Sequence, residues 1–593
     1  EVIQSSKDMA IRLGQLALAV RTRLRKLLAI EHKQGPLHNM MFMFKENLIA
    51  DLDTDTFSDM YAQTIAYGLL SARIINPKAN TSDAIHTQIP ITNPFLRDLM
   101  ETFLTRGGRN YGKNIGLDFD ELGVNEVVDL LDNTNIEAVL RDFGDRNQKE
   151  DPVIHFFEGF LQEYDSKIRK DRGVFYTPQP VVSFIVRSVD EQLRNEFGLE
   201  DGLADITTWG ELIKKREDIE KPKNIPSDQT FVQILDPATG TGTFIVEVID
   251  IIYKTMTMKW KSLGKGNIEI KQLWNNYVPK HLLTRLHGYE LMMAPYTIAH
   301  MKIGLKLYET GYKFNNDERA QIYLTNALEP APDFTETFSF AIPALANESK
   351  AVNNIKRNKY FSVVIANPPY LGEGGVSKGW LHEIMDDYKK EPGGQEKLKE
   401  RNPKWLNDLY VKFIRTSSYS LEINKSGVMG FVTNHSYLDN PTFRGMRWHL
   451  LNTFEKIYIL DLHGNSKKKE KTPEGKIDVN VFDIQQGVSI IIGSKKNKHK
   501  ELLSSAKHSD LWGERKTKYS VLETLKLSDS NFQNLDCLAP QYLFVKRDLS
   551  MQLQYDKGIL ISEFMPINSV GIVTARDKFT IDKNDLFYSD LAF

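Results

Sequence analysis

Seven short apolar runs between residues 232 and 493 constrain the fold of this chain more than any other feature. They are separated by stretches with helical spacing, and they read VQILDP, RLHGYEL, QIYLTN, FSVVIANPP, GVMGFVTN, KIYILDL and GVSIIIG. Strands that alternate with helices form a parallel sheet with helices on both faces. The sequence therefore predicts a doubly wound α/β fold, in which ligands bind beyond the carboxyl ends of the strands.

The regions that flank this pattern predict two further domains. Apolar residues recur at helical spacing within residues 1–150. Leu13, Val20 and Leu24 lie on one apolar stripe of a predicted helix, and the arginines at 21, 23 and 25 lie largely off that stripe. After residue 495 the periodicity weakens. We expect an all-helical scaffold domain over 1–150, the α/β domain over 151–495, and a mixed α+β domain over 496–593 that is only partly present.

The composition limits the function classes without deciding among them. Lys and Arg number 76 against 78 Asp and Glu, a net charge of −2, so the overall basic charge typical of nucleic-acid-binding proteins is absent. A basic groove can still exist within a balanced total. The single cysteine, Cys537, excludes a disulfide framework and a cysteine-based metal site, and it favours the reducing cytoplasm.

The ends and the hydropathy of the chain carry further expectations. No window reaches the run of about 18 apolar residues that a membrane helix needs, and the start does not have the pattern of a signal peptide. The start also lacks an initiator methionine. We therefore expect a protein without membrane contact that is a fragment of a longer polypeptide.

A glycine-rich turn follows the first run, in LDPATGTGTF at residues 235–244. Asp236 ends the strand, Gly240 and Gly242 allow a ligand to approach the backbone, and a helix begins near Thr243. No Lys-Ser or Lys-Thr follows the glycines, which disfavours the phosphate-binding loop of nucleotide hydrolases. The turn predicts a cofactor cradle.

Polar side chains also end the second and third runs. Glu290 at the tip of the second strand can accept both hydroxyls of a ribose, although an exposed Glu at a helix N-terminus would be stable there too. Asn326 after the third strand can read the edge of an adenine ring. The gap from Gly242 to Glu290 exceeds the usual spacing of about 20 residues, so 258–282 should be an insertion.

The fourth run ends in the most specific motif, Asn367-Pro368-Pro369-Tyr370. Asn367 offers a side-chain carbonyl and Pro368 a backbone carbonyl, and the two prolines stiffen the turn that holds both acceptors. Tyr370 adds an aromatic face. Two fixed acceptors beside an aromatic ring suit a planar group that carries an NH₂.

Upstream, FYTP at residues 175–178 precedes an amphipathic helix. Thr177 is a natural N-cap with Pro178 at the first helical position. The alternative is that the turn Phe175-Tyr176-Thr177 closes over a bound cofactor.

Jointly, these motifs resemble the DNA adenine-N6 methyltransferases of the gamma arrangement, in which the cofactor motifs precede the catalytic motif and a target-recognition domain comes last. The resemblance covers about residues 165–495. Residues 153–190, NVFDIQQGVSI and NSVGIVTARD are similar to the methylase part of Type ISP and some Type IIG restriction–modification enzymes. In Type ISP chains, nuclease and helicase-like ATPase domains precede a helical coupler, which residues 1–150 would match; we expect such domains upstream.

The resemblance implies a Rossmann-like class I methyltransferase sheet, S-adenosylmethionine as cofactor, and no metal for methyl transfer. For the cofactor, it implies that Thr177 contacts the methionine carboxylate with Phe175 and Tyr176 lining the site, that Glu290 contacts the ribose and Asn326 the adenine, and that the cofactor loop contains Asp236, Ala238, Gly240 and Gly242. For catalysis, it implies a role for Asn367, Pro368, Pro369 and Tyr370. It also implies that Phe482 is a second aromatic residue that packs on the target base. A buried strand-edge phenylalanine is the alternative for Phe482.

The implied partner is double-stranded DNA with a specific recognition sequence, in the cytoplasm of a prokaryote. Lys467, Lys468 and Lys469 in a lysine-rich loop, and Arg576, are the candidate DNA contacts. Solvated lysine loops are the alternative.

Three other functions stay open. Methylation of a glutamine side-chain amide in a protein poses the same chemical problem, and transfer to cytosine N4 usually shows Ser or Asp before the two prolines. A non-catalytic DNA-recognition module would not need Asn367 or the cofactor glycines. The 593 residues show no GxxxxGK[ST] motif and no persuasive nuclease cluster, so cleavage and ATP hydrolysis would lie outside them.

Overall fold

The computed structural model describes most of the α/β part and portions of the helical part. The described residues are 3–47, 52–75, 93, 95–100, 122–139, five positions between 156 and 164, 177–331 except 313 and 315–317, 343–370, 379–400, 403–496, and 503–567 except 549 and 556.

The described secondary structure of the N-terminal region is helical, as the sequence predicts, apart from one isolated bridge between Ile3 and Thr134. Its helices are α1 (Ser6–Ile30), α2 (Pro36–Asn47), α3 (Thr54–Ile75) and α4 (Val124–Asp132), with shorter helical stretches at 95–100 and 136–139. Helix α1 begins after Ser5, whose hydroxyl accepts a hydrogen bond from the Asp8 N–H at 3.1 Å. In α3, Phe57, Tyr61 and Ile65 recur at a spacing of four residues and are buried.

One arginine of α1 differs from the expectation. Arg21 is only 7% exposed, and its guanidinium lies 3.4 Å from the Asp59 carboxylate on α3 and over the ring of Tyr164. The Tyr164 hydroxyl donates to the same Asp59 oxygen at 2.6 Å. A buried cation needs a partner of this kind, and the spacing of apolar residues in α1 does not reveal it.

The remaining elements form one sheet with helices around it. The strands are β1 (Ile234–Asp236), β2 (Leu286–Glu290), β3 (Gln321–Leu324), β4 (Val363–Ala366), β5 (Gly427–Asn434), β6 (Lys456–His463), β7 (Val488–Lys495), β8 (Ala506–Asp510) and β9 (Gln533–Leu535). The helices, in chain order after α4, are α5 (Gln179–Phe197), α6 (Trp209–Lys215), α7 (Thr243–Ser262), α8 (Asn267–Tyr277), α9 (Met293–Glu309), α10 (Pro343–Asn358), α11 (Gly379–Met385), α12 (Leu409–Asn424), α13 (Arg444–Thr453), α14 (Arg515–Thr524), α15 (Gln552–Tyr555) and α16 (Ile561–Phe564).

The seven predicted runs are strands β1 to β7, and the sheet order is β3-β2-β1-β4-β5-β7-β6-β8-β9. Strands β1 to β5 are parallel, which confirms the doubly wound α/β core. Strands β7 and β9 are antiparallel to their neighbours, unlike the all-parallel expectation. Residues 464–487 between β6 and β7 contain no helix, and a parallel return needs a crossover that is usually helical.

Two features bear on the predicted organisation. Helix α8 lies within the expected insertion at 258–282 and packs on α7 through an edge-to-face contact of Trp274 with Tyr253. Strands β8 and β9 extend the sheet beyond residue 495. The domain boundaries at 150 and 495 stay a prediction.

The backbone divides into two compact units, Glu1–Val545 and Lys546–Phe593. The first holds all nine strands, and the second holds the short helices α15 and α16 in its described part. Among the described residues, no helix combines the length and apolar character that a membrane crossing requires.

The central position of β7 generates a stability prediction. Ile491 is fully buried between β5 and β6, so Ile491→Ala should lower the free energy of unfolding by about 2–5 kcal/mol through the lost apolar contact and the cavity left behind. Urea unfolding followed by circular dichroism measures it. Ile477→Ala is the matched control, because Ile477 is 75% exposed and its loss should cost within about 0.5 kcal/mol. Equal effects of the two substitutions would contradict the core assigned here.

Candidate active site

A cavity of about 480 Å³ lies where the parallel strands β1 to β4 end. Strand β1 pairs with β2 on one side and β4 on the other, so the segments that follow these strands meet at one edge of the sheet. Nine predicted residues line the cavity: Thr177, Ala238, Gly240, Glu290, Asn326, Asn367, Pro368, Pro369 and Tyr370. The structure thus brings together in one cavity residues that are up to 193 positions apart in the chain (370 − 177).

Not every predicted residue lines this cavity. Asp236, Gly242 and Phe482 are described but are not among its lining residues. Phe175, Tyr176 and Arg576 lie outside the described residues.

The glycine turn has the backbone that its sequence predicts. Gly240 and Gly242 have φ of +54° and +80°, and α7 begins directly afterwards at Thr243. A Cβ on Gly240 would meet nothing nearer than the Ala238 carbonyl oxygen at 3.9 Å, so the backbone is open to a ligand there. A Cβ on Gly242 would lie 3.1 Å from the Ala299 Cβ, so this glycine lets α7 approach α9.

Asp236 lies beneath the turn rather than in the cavity wall. One carboxyl oxygen accepts the Ala238 N–H at 3.1 Å, while the other is buried without a hydrogen-bond partner among the described residues. Burial, with Glu290 nearby, raises the pKa of the Asp236 carboxyl well above its ordinary value. Asp236 therefore stabilises the backbone of the turn, at the free-energy cost of burying a carboxyl group.

Glu290 joins the ends of β1 and β2. Its carboxylate accepts the Gly240 N–H at 2.8 Å through one oxygen and the Met292 N–H at 2.8 Å through the other. The side chain is thereby held in the cavity wall beside the glycine turn. This position fits a ligand that passes over Gly240 and presents hydroxyl groups to a carboxylate.

Asn326 organises the loop that follows β3. Its side-chain oxygen accepts the Leu328 N–H at 3.0 Å, and its amide donates to Glu329 at 2.9 Å. The ammonium of Lys356 donates to the backbone carbonyls of Asn326 and Glu329, and burial lowers the pKa of Lys356 to about 8. The loop is therefore fixed from both sides, and an adenine contact by Asn326 stays a prediction.

The Asn-Pro-Pro-Tyr turn is bound to the start of α5. The Asn367 amide donates to the Thr177 hydroxyl at 2.8 Å, and the Tyr370 hydroxyl lies 2.6 Å from the Asn367 side-chain oxygen. The Tyr370 ring packs edge-to-face with Tyr410 and is 5% exposed. Both polar ends of the Asn367 side chain are thus oriented by neighbours.

The capping interpretation of Thr177 is wrong. Helix α5 begins at Gln179 and its N-cap is Pro178, with no side-chain hydrogen bond to the cap. The Thr177 hydroxyl instead accepts from Asn367, a contact across 190 residues that local capping preferences do not reveal.

Sequence reasoning missed one wall of the cavity. Leu52 and four residues of α3, namely Thr56, Asp59, Met60 and Gln63, line it. Their spacing of three and four places the four helical residues on one face. Asp59 is the notable member, because one of its oxygens takes the Arg21, Gln63 and Tyr164 contacts and the other accepts no hydrogen bond from a described residue.

The remaining predicted sites lie elsewhere. Phe482 is buried in a loop, and its N–H donates to the Asn480 side chain at 2.8 Å. Lys467, Lys468 and Lys469 are exposed. Their roles toward DNA stay predictions.

Two groups of metal-ligand-type side chains occur near the ends of β5, β6 and β8: His435 with His463 and Glu470, and Asp461 with His508 and Asp510. The imidazole of His435 lies 3.2 Å from Asp461, and that of His463 lies 2.8 Å from Asp510. These groups therefore form one internal network of imidazole–carboxylate pairs. The sequence analysis did not single them out.

Comparison with known proteins adds family information to this geometry. A family model of the N-6 DNA methylase matches residues 148–198, and one of the Eco57I restriction-modification methylase matches residues 280–468. These two segments are therefore similar to DNA methylases of restriction–modification systems. No curated protein matches the chain significantly.

Solved structures with a similar fold are longer proteins. A DrdV–DNA complex is 21% identical over 92% of this chain and 46% of its own, with a TM-score of 0.64. The ATP-dependent Type ISP restriction-modification enzyme LlaBIII bound to DNA is 20% identical over 97% of this chain and 35% of its own, with a TM-score of 0.66. A nuclease-deletion mutant of the Type ISP enzyme LlaGI with a DNA substrate mimic is 19% identical over 93% of this chain and 39% of its own, with a TM-score of 0.61. The chain thus spans less than half the length of each.

The buried carboxyl of Asp236 generates a pH prediction for the ligand-free methylase. Because the folded-state pKa is raised, the folded chain holds this proton more tightly than the unfolded chain. The stability contributed by the group is therefore full below the unfolded pKa and is lost as the pH rises toward the folded pKa. Asp236→Asn should remove this loss, so its stability advantage over the wild type should grow with pH by up to about 1.4 kcal/mol per pH unit.

The difference is measured from the unfolding free energies of both proteins between about pH 5 and pH 8, the range in which proteins are usually most stable. Asp250→Asn is the control, because two lysines lower the pKa of Asp250 despite its burial, so its contribution is already full over this range and its difference from the wild type should not change with pH. A pH-independent difference between wild type and Asp236→Asn would contradict the raised pKa of the buried Asp236 carboxyl.

Proposed function

We propose that this chain is the modification part of a restriction–modification enzyme and transfers a methyl group from S-adenosylmethionine to N6 of an adenine flipped out of double-stranded DNA. The observation that carries the proposal is the placement of the Asn-Pro-Pro-Tyr turn in one cavity with the glycine turn and Glu290. The family matches support DNA as the substrate over a protein glutamine amide.

Asn367 and Pro368 would do the chemical work on the adenine. The N6 lone pair is delocalised into the ring, which makes the amine a weak nucleophile. Hydrogen bonds from the amine to the Asn367 side-chain oxygen and the Pro368 carbonyl would draw electron density back onto nitrogen and orient it. Thr177 supports this role, because its hydroxyl accepts the Asn367 amide and so fixes the orientation of a side chain that lines the cavity. Positioning and electrostatics would thus supply the catalysis.

The cofactor would lie over the glycine turn. When bound, S-adenosylmethionine supplies an electrophilic methyl group on a sulfonium. Gly240 leaves room at the backbone, Glu290 offers a carboxylate to the ribose, Asn326 would face the adenine, and Thr177 the methionine end. These residues need no metal to hold the cofactor.

Helix α3 would close the cofactor site from the helical region. Asp59 is 6% exposed and lines the cavity, and one of its carboxylate oxygens accepts no hydrogen bond from a described residue. A carboxylate in this position suits the N–H and O–H donors of the cofactor, and Gln63 beside it adds a polar amide.

The target base must leave the helix to reach Asn367. Tyr370 and Phe482 would stack on its faces, which offsets part of the unstacking cost at about 1–3 kcal/mol per stacked base. The exposed Lys467, Lys468 and Lys469, with Arg576 beyond the described residues, would contact the DNA backbone.

The parent polypeptide belongs to the proposal as well. We infer Type ISP or Type IIG architecture, with nuclease and ATPase domains on the same longer chain, residues 1–150 as coupler, and 496 onward as the start of a target-recognition region. A cytoplasmic location in a prokaryote follows from chromosomal DNA as substrate.

The first test concerns Asn367. Asn367→Ala removes one of the two proposed acceptors, so methyl transfer should fall at least about 100-fold while cofactor affinity changes little. Incubation with plasmid DNA and labelled S-adenosylmethionine, followed by single-molecule sequencing, measures both the rate and the modified base. Asn276→Ala, an exposed asparagine on α8, is the control. Near wild-type turnover by Asn367→Ala, or a modified base other than adenine, would refute the mechanism.

The second test concerns the cofactor wall. Asp59→Asn should weaken S-adenosylmethionine binding about ten- to a hundredfold, as expected for the loss of a charged hydrogen-bond acceptor, and Glu290→Ala should also weaken it. Titration calorimetry without DNA measures both. Asp55→Asn on the same helix is the matched control, since its carboxylate is 73% exposed and pairs with Arg25 outside the cavity.

Hydrogen exchange of the wild type tests the contact of α3 with the cofactor independently of whether Asp59→Asn folds. S-adenosylhomocysteine should slow amide exchange in α3 and in 236–242, but not in α4. Protection of 236–242 with unchanged exchange in α3 would remove α3 from the site, whereas no protection at either would remove the cofactor site itself.

A further inference from the structure

Helix α14 holds the backbone beside Phe482 through an unusual set of contacts. Residues 478–483, here called the aromatic segment, form neither helix nor strand, so their carbonyls have no ladder partners. Four consecutive carbonyls of this segment instead accept hydrogen bonds from three side chains of one helix. The distances are 2.8 Å from Lys518 to Val479, 2.8 Å from Arg515 to Asn480, 2.7 Å from Tyr519 to Val481, and 2.9 Å from Arg515 to Phe482.

A buried ion pair fixes the start of the aromatic segment. The side chains of Lys518 and Asp478 are both 0% exposed, and their charged atoms lie 2.8 Å apart. Lys518 also donates to the Leu462 carbonyl on β6 at 2.7 Å, and Asp478 accepts the Gly513 N–H at 2.6 Å. A fully buried pair persists only when its hydrogen-bonding capacity is met, and these contacts meet it.

The other side of α14 is attached to α5. Arg187 donates to the carbonyls of Leu522 and Leu525, and Glu191 accepts the N–H groups of Leu527 and Ser528. Helix α5 begins two residues after Thr177, which holds Asn367. Helix α14 is therefore connected by hydrogen bonds both to the aromatic segment and to the helix that adjoins the catalytic turn.

We infer that α14 sets the position of Phe482 relative to the Asn-Pro-Pro-Tyr turn, with Arg515 and Tyr519 as positioning residues for the flipped base. This inference rests on the proposed function. A stacking ring contributes only when its supporting shell holds it in place. The Asn480 side chain supports the segment locally by accepting the Phe482 N–H, and α14 supports it through the four carbonyl contacts and through ion pairs with Asp478 and Asp483.

Helix α14 also follows residue 495, in the part of the chain predicted to lead into target recognition. Helix α14 would thus connect the stacking of Phe482 on the target base to the recognition region.

Arg515→Met tests the inference, because it removes the two hydrogen bonds to carbonyls, together with the ion pair to Asp483, while keeping an unbranched apolar stem. The full chain is assayed on two duplexes. Fluorescence is measured with the target adenine, mapped by methylation sequencing, replaced by 2-aminopurine, and kcat is measured on the same duplex with adenine at that position. We expect brighter 2-aminopurine fluorescence than in the wild type, since a flipped base that is not stacked is less quenched, and a kcat lower by about tenfold, in line with the loss of one stacking contact. S-adenosylmethionine affinity should not change.

Three further variants separate positioning from folding. Lys516→Met removes a cation from an exposed position of the same helix and should behave as the wild type. Arg515→Lys keeps one donor and should restore part of kcat. Phe482→Ala should reproduce the fluorescence of Arg515→Met, and the double variant should show little additional effect, because both act on the same ring.

The outcomes distinguish the inference from the proposed function. Additive effects of Arg515→Met and Phe482→Ala, or wild-type fluorescence and kcat in Arg515→Met, would overturn the positioning role while methylation by the wild type stands. If Arg515→Met lowers both kcat and the thermal midpoint of unfolding without a change in fluorescence, the positioning role would also be overturned, in favour of a purely structural role. Absence of adenine methylation in the wild type would instead overturn the proposed function.

Discussion

The parallel pairing of β1 between β2 and β4 is the constraint on which the rest of the site depends. Ile234 pairs with both Leu286 and Val363, so three chain segments end at one level of the sheet. The glycine turn, Glu290 and the Asn-Pro-Pro-Tyr turn then occupy the same edge without any further adjustment. The hydrogen bond from Gly240 to Glu290 exists only because the strands are in this register. Burial of the apolar runs fixes the register, since a slip would expose them.

Much of this could be predicted from sequence because the information is local. Each apolar run is a strand, and the chemistry-bearing residues directly follow the strands, where the topology of an α/β sheet gathers them. The antiparallel direction of β7 was not predicted, because it depends on the absence of a crossover helix in 464–487 rather than on the apolar pattern of β7 itself. Local preference offered a helix cap as one of two explanations of Thr177, and in the structure its hydroxyl instead accepts a tertiary hydrogen bond from Asn367.

The contacts that sequence did not predict join distant parts of the chain. Arg21 was expected on a solvated face, yet Asp59 and Tyr164 bury it, and nothing in the spacing of α1 identifies those partners. The face of α3 that lines the cavity was not predicted either, because it too depends on contacts between distant parts of the chain. A helical region read as a scaffold thus supplies part of the wall of the methylase site, because α3 packs on α9, the helix that follows Glu290. Pairwise contacts of this kind carry no periodic signature in a single sequence.

The extension of the sheet by β8 and β9 has a consequence for building hybrid enzymes. These strands and α14 follow residue 495 but are integral to the first compact unit, which ends at Val545. The Phe544 N–H also donates to the Leu438 carbonyl, and the Gln541 carbonyl accepts from Arg447. A graft that exchanges recognition regions between relatives would cut through a sheet if joined at 495, whereas a junction after Val545 would leave every strand with its own neighbours.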